Sequence, residues 1–184
     1  MQPGNPLQPE QSVEQLDDAT LEFAARMFEL ARNGDAVELE TFLSKGLPPN
    51  MRDHKGDSLL MLAAYHGHDA AVTVLLRHKA DPALRNNNGQ TPIAGAAFKG
   101  HVAVVQCLLD HGADVEGASP DGKTALMIAA MFNRKEIVTL LLANGADLNA
   151  RSENGATALE AARAMGAPDT VALLTAHQSA SPQV

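Results

Sequence analysis

Tryptophan is missing from this 184-residue chain, tyrosine occurs once, and cysteine once. With Cys107 as the lone thiol there is no internal disulfide, so packing alone must hold the fold. Hydrophobic residues are 45% of the chain, ample for burial, while aromatic residues are only 3%, so the positions of the few present carry more information than usual. No apolar run approaches the roughly 18 residues of a membrane span. The start MQPGNPLQPEQ has neither a basic stretch nor an apolar one, and the end, Pro182, Gln183 and Val184, matches no lipidation box. A soluble, cytoplasmic protein away from membranes is the expectation.

Basic residues are also few: 14 Lys and Arg stand against 22 Asp and Glu, a formal charge of −8. The imbalance is concentrated early, since residues 1–50 carry nine acidic and three basic side chains. Phosphate backbones demand clustered Lys and Arg, so nucleic acid is not an expected partner.

What the chain does have is a period. Gly56, Gly89, Gly122 and Gly155 recur every 33 residues, with Asp53, Asn86, Ser119 and Ser152 three positions before and Ser58, Thr91, Thr124 and Thr157 two positions after. A fixed repeat of this length implies stacked supersecondary units rather than a single globular centre. Asp, Asn or Ser first, Pro120 second and Gly fourth fits a type I turn. The following Ser or Thr is the residue type that caps a helix start, and Pro92 occupies the first helical position, where proline is tolerated. Each unit therefore reads as a tip that turns into a helix.

The first helix carries Leu60, Leu62, Ala63 and Ala64, matched by Ile93, Ala96 and Ala97, by Leu126, Ile128, Ala129 and Ala130, and by Leu159, Ala161 and Ala162. It ends at Gly67, Gly100, Asn133 and Gly166, residues that accept a left-handed cap. A second helix follows, with Val72, Leu75 and Leu76 repeated as Val105, Leu108 and Leu109 and as Val138, Leu141 and Leu142, the spacing of a helical core stripe. Gly46, Gly112 and Gly145 close that helix, whereas the first full unit has Lys79 there, predicting a left-handed lysine. Residues 17–33 and 36–45 read as capping helices, and 152–178 as a polar-faced terminal repeat behind repeats 53–85, 86–118 and 119–151. Residues 1–15 and 179–184 are expected to be disordered.

The strings Gly89-Gln90-Thr91-Pro92-Ile93, Gly67-His68, Gly100-His101 and Gly145-Ala146-Asp147-Leu148-Asn149 resemble the ankyrin repeat over 53–184, and in degraded form over about 20–52. The wording looks like that of small stand-alone bacterial ankyrin proteins. The resemblance implies an all-α solenoid of turn plus antiparallel helix pair that grips protein partners with its tips and concave helix face. Two departures stand out. The histidine of the family's Thr-Pro-Leu-His box is replaced by Met61, Ala94, Met127 and Glu160, and the third unit has Asn133-Arg134 in place of Gly-His.

Three of the six Phe and Tyr residues fall within the last two positions before the cap of the first helix, a column two residues wide: Tyr65, Phe98 and Phe132. With Met131 they read either as a partner groove or as packing between units. Neighbouring His66 and Lys99, the tip residues Lys55, Asp57, Asn88, Gln90 and Lys123, and Arg85 before the second turn complete the candidate partner-binding set. Arginine there is suited to fork onto a partner carboxylate. Catalytic motifs are not found; of the seven histidines only His66 and His68 are close, and they lack third and fourth ligands, so no cofactor or metal is expected. Cys107 falls in a core column and reads as buried filler. The expectation is a monomeric, non-catalytic protein that binds another protein. A masking or inhibitory protein for an enzyme is a narrower version of this, and a small-ligand or metal-dependent enzyme a remote alternative.

Overall fold

The computed structural model describes residues 18–180, and every one of its regular elements is a helix. The segment 1–15 and residues 181–184, expected to be disordered, lie outside the described residues. The elements are α1 (Asp18–Asn33), α2 (Ala36–Ser44), α3 (Leu59–His66), α4 (Asp69–Arg77), α5 (Pro92–Lys99), α6 (Val102–Asp110), α7 (Ala125–Met131), α8 (Lys135–Ala143), α9 (Ala158–Met165) and α10 (Pro168–Ala180). The last helix runs two residues into the segment expected as tail. Among the described residues there is no strand, only an isolated antiparallel bridge between Arg52 and Ser58.

Helix starts are set locally. The hydroxyls of Ser58, Thr91, Thr124 and Thr157 accept the backbone N–H groups of Met61, Ala94, Met127 and Glu160 at 3.1–3.4 Å. Glu160 reaches back to the Thr157 N–H at 2.7 Å, closing a capping box. Each such cap is worth about 1 kcal/mol. Helix ends follow the sequence as well: Asn133 has φ 56° and Lys79 φ 65°, the non-glycine residues with positive φ among those described.

Packing arranges the helices in two rows. α1, α3, α5, α7 and α9 stack in order as an inner row, and α2, α4, α6, α8 and α10 form an outer row behind it. Ala63, Ala64, Ala96, Ala97, Ala129, Ala130 and Ala162 are fully buried between inner helices, whose close approach depends on side chains this small. Leu75, Leu108, Leu141 and Leu174 fill the corresponding outer positions, all with no exposed surface. Where the family's box histidine is absent, Met61, Ala94 and Met127 are buried and make the position apolar. Among the described residues no buried side-chain polar atom lacks a partner. Cys107 is half-buried in the outer row, 3.5 Å from the Thr73 hydroxyl, rather than fully enclosed.

Polar staples tie each repeat to the next. His68 Nε2 meets the Arg32 carbonyl at 2.8 Å and His101 Nε2 the Tyr65 carbonyl at 3.2 Å. Arg134 makes the equivalent bond in the unit without histidine, its Nε donating to the Phe98 carbonyl at 3.2 Å. These contacts hold the carboxyl ends of successive inner helices in line, which is where the aromatic column sits.

Candidate functional site

Each tip is a three-residue hairpin. The turn closes by the glycine N–H donating to the carbonyl three residues back, at 2.8–2.9 Å, and a second bond joins the Asp53, Asn86, Ser119 and Ser152 amides to carbonyls four residues on, at 3.0–3.1 Å. Gly56, Gly89, Gly122 and Gly155 all have φ between 72° and 79°, the left-handed residue such loops need. Gly89 also has no room for a side chain, since a Cβ there would lie 2.2 Å from Pro120 Cδ. Neighbouring tips are linked by Asn87 N–H to the Lys55 carbonyl and by Glu153 N–H to the Asp121 carbonyl, both 3.0 Å. Pro120 occupies the matching position between those two links and has no N–H to give.

Inner helices and tips together bound a groove of about 1020 Å³. Of the sequence-predicted set, Tyr65, His66, Phe98, Met131, Phe132, Lys55, Asp57, Asn88, Gln90 and Lys123 all line it. Tyr65 and Phe98 are stacked, centroids 6.4 Å apart and planes at 17°, and Phe98 meets Phe132 edge-on at 4.5 Å and 83°. Tyr65, Phe98 and Phe132 nevertheless remain 37%, 37% and 36% exposed. The rings thus touch one another along the wall and also present a face to the groove. Phe132 sits at the cap of α7 rather than within it, with φ −98°.

Lys99 and Arg85 stand outside the groove lining. The Lys99 ammonium is placed 5.2 Å from the Tyr65 ring centroid, a cation–π contact beside the wall. Arg85 is engaged elsewhere, its guanidinium donating to the Gly89 carbonyl at 3.0 Å and to the Ala118 carbonyl of the next repeat. Arg52 acts alike towards Gly56 and Arg85, and Arg151 donates to the Gly155 carbonyl at 2.6 Å. The arginine before each of these turns is committed to backbone, which leaves less of its fork for a partner.

Sequence reasoning left Arg32 and Asp53, which also line the groove, out of the candidate set. Arg32 donates to Asp53 at 3.0 Å and to Glu29 at 2.6 Å, and the Asp53 side chain is only 5% exposed. Both residues keep the 33-residue register, Arg32 one period before Tyr65 and Asp53 one period before Asn86, but no other repeat has an Arg and an Asp at these two positions, so the ion pair does not show as a recurring pattern. At the third tip Asp121 accepts from Lys123 and from the Ser119 hydroxyl, and these bonds lower the pKa of its carboxyl to about 2. Burial, then the neighbouring His68, Lys99, Arg32 and His101, keep the pKa of the His66 imidazole below its ordinary value. Among the described residues no group of three or more His, Cys, Asp or Glu is placed to hold a metal ion.

A helical solenoid with hairpin tips and a groove between tips and inner helices defines a repeat-protein class. The sequence profile described as ankyrin repeats in three copies matches residues 27–119 and 115–184, and the chain belongs to that family. Over 54 residues it is 61% identical to a protein of Pseudomonas aeruginosa named as an ankyrin repeat protein. That match spans 29% of this chain and 32% of the relative's length. Ankyrin repeats as a family are protein-interaction modules.

Proposed function

We propose that the chain is a non-catalytic binding protein that takes a partner protein into the groove between its inner helices and its tips. Tyr65, Phe98, Met131 and Phe132 supply the apolar anchors. Lys55, Asp57, Asn88, Gln90 and Lys123 form a polar rim that orients the partner, with His66 and Lys99 at the opposite edge. The observation that carries this reading is the exposure of a continuous aromatic line in a chain otherwise poor in aromatics. Rings that served packing alone would be buried, as Leu60 and Leu126 are. Exposed apolar patches with a polar margin mark interaction sites in monomeric folds.

Affinity purification with the full chain, and in parallel with a Phe98→Ala/Phe132→Ala variant, tests it. A protein retained by the first and lost by the second is the expected result. Both rings are about two-thirds buried and Phe98 also stacks on Tyr65, so the double substitution costs on the order of 2–4 kcal/mol of stability, and circular dichroism at the assay temperature checks that helix content is unchanged. Equal retention by both proteins contradicts the proposal.

A further inference from the structure

The charges along the groove are not all matched within the chain. Arg32 is held by Glu29 and Asp53, and Lys123 by Asp121. Asp57, the remaining carboxylate of the lining, accepts the Asn86 amide at 2.8 Å. Among the described residues, Lys55 at the first tip and Lys99 beside the Tyr65 ring have no carboxylate partner. His66 and His68 are stacked next to that ring, centroids 6.2 Å apart, and neither is paired with an acid among those residues. On a chain of net charge −8, Arg32, Lys55 and Lys123 equal the three aspartates of the groove in number, so the lining is neutral overall, Lys99 at the helix edge adds one positive charge, and Lys55 and Lys99 are the lysines there without an ion-pair partner.

Resting on the protein-binding reading above, we propose that the groove takes an acidic segment of its partner. Apolar side chains of that segment lie on Tyr65, Phe98 and Phe132, while its Asp or Glu side chains meet Lys55 on the tip flank and Lys99 with His66 on the helix flank. Docking removes water from both lysines, and a partner carboxylate then restores what the chain itself does not provide. The acidic remainder of the molecule does not prevent this, because charges beyond about 8 Å are largely screened at physiological salt. A phosphate backbone is disfavoured by the same surface, since two unmatched lysines are far fewer than such a polymer needs.

The chain carries its own reporter. With one tyrosine and no tryptophan, its tyrosine emission comes from Tyr65 alone. A short synthetic peptide alternating Glu with Leu and Phe, its counterpart with Lys in place of Glu, and a single-stranded oligonucleotide are each titrated into the full chain. The acidic peptide is expected to change Tyr65 emission saturably. Lys55→Glu together with Lys99→Glu weakens it about tenfold, and the same reversal at Lys45 and Lys135, away from the groove, leaves it unchanged. No saturable change with the acidic peptide, an equal response to the basic one, binding of the oligonucleotide instead, or an equal loss from the Lys45/Lys135 pair overturns the proposal. If the basic peptide binds and Phe98→Ala abolishes that binding, the groove stands and only its charge preference falls. If Phe98→Ala alters none of the titrations, the groove reading falls with it.

Discussion

Lys79 and Asn133 share a left-handed backbone, yet replacing each with glycine is expected to have opposite effects. Lys79 is exposed, and its φ of 65° is a strain that glycine relieves. Part of the gain is offset by the greater freedom of glycine in the unfolded chain, so Lys79→Gly should stabilise by about 0.5 kcal/mol and raise the melting point by about 1–2 °C. Asn133 uses its side chain: Oδ1 accepts the Asp169 and Thr170 amides at 3.0 and 3.1 Å, and Nδ2 donates to Asp169 at 2.8 Å. Those amides are the unpaired donors at the start of α10. Asn133→Gly keeps the backbone and loses the cap, for a net loss of about 1 kcal/mol. Thermal denaturation of both variants checks the pair, and two shifts of the same sign would contradict it. Both left-handed positions could be read from their columns. The tie from Asn133 to α10 could not, because it spans 36 residues and depends on which repeat lies behind.

At the scale of the element, the tips are held by short side-chain bonds that titrate. The Asp121 pKa is lowered to about 2 from its ordinary 3.8, by Lys123 first and then by the Ser119 hydroxyl. A depressed carboxyl contributes stability above pH 4 and loses it as pH falls from about 4 towards 2. The group is half exposed, so the contribution is small. Carbon-detected NMR should find the Asp121 carboxyl titrating near 2, and Lys123→Ala should move it up towards its ordinary range; an unmoved value would show that Lys123 is not the cause. The hairpin and its glycine were legible in the sequence as a turn signature. The commitment of Arg52, Arg85 and Arg151 to backbone carbonyls was not, since a surface arginine has the same appearance in sequence whether it faces a partner or folds back. Gly89→Ala tests the close approach at the tip: a methyl against the Pro120 ring adds a clash to the backbone strain. The equivalent change at Gly155, with open space around it, adds only the strain. The first should be the more destabilising of the two in denaturant titrations.

Across the whole molecule, the 33-residue period puts like positions on like surfaces. That is why the fold, the paired helices of each unit and the aromatic line were legible from residue order alone. What the period does not encode is how repeats are fastened. His68, His101 and Arg134 bond the carboxyl ends of α1, α3 and α5, and no single repeat reveals that histidine and arginine do equivalent work there. Those fastenings align Tyr65, Phe98 and Phe132 into one wall, and the functional account depends on that wall meeting a partner. A photo-crosslinking side chain placed at Phe98, compared with one at Val37 on the outer row, which is 79% exposed, measures this most directly. The account predicts that the groove position traps a partner protein and the outer position does not. Trapping at Val37 with none at Phe98 would contradict it.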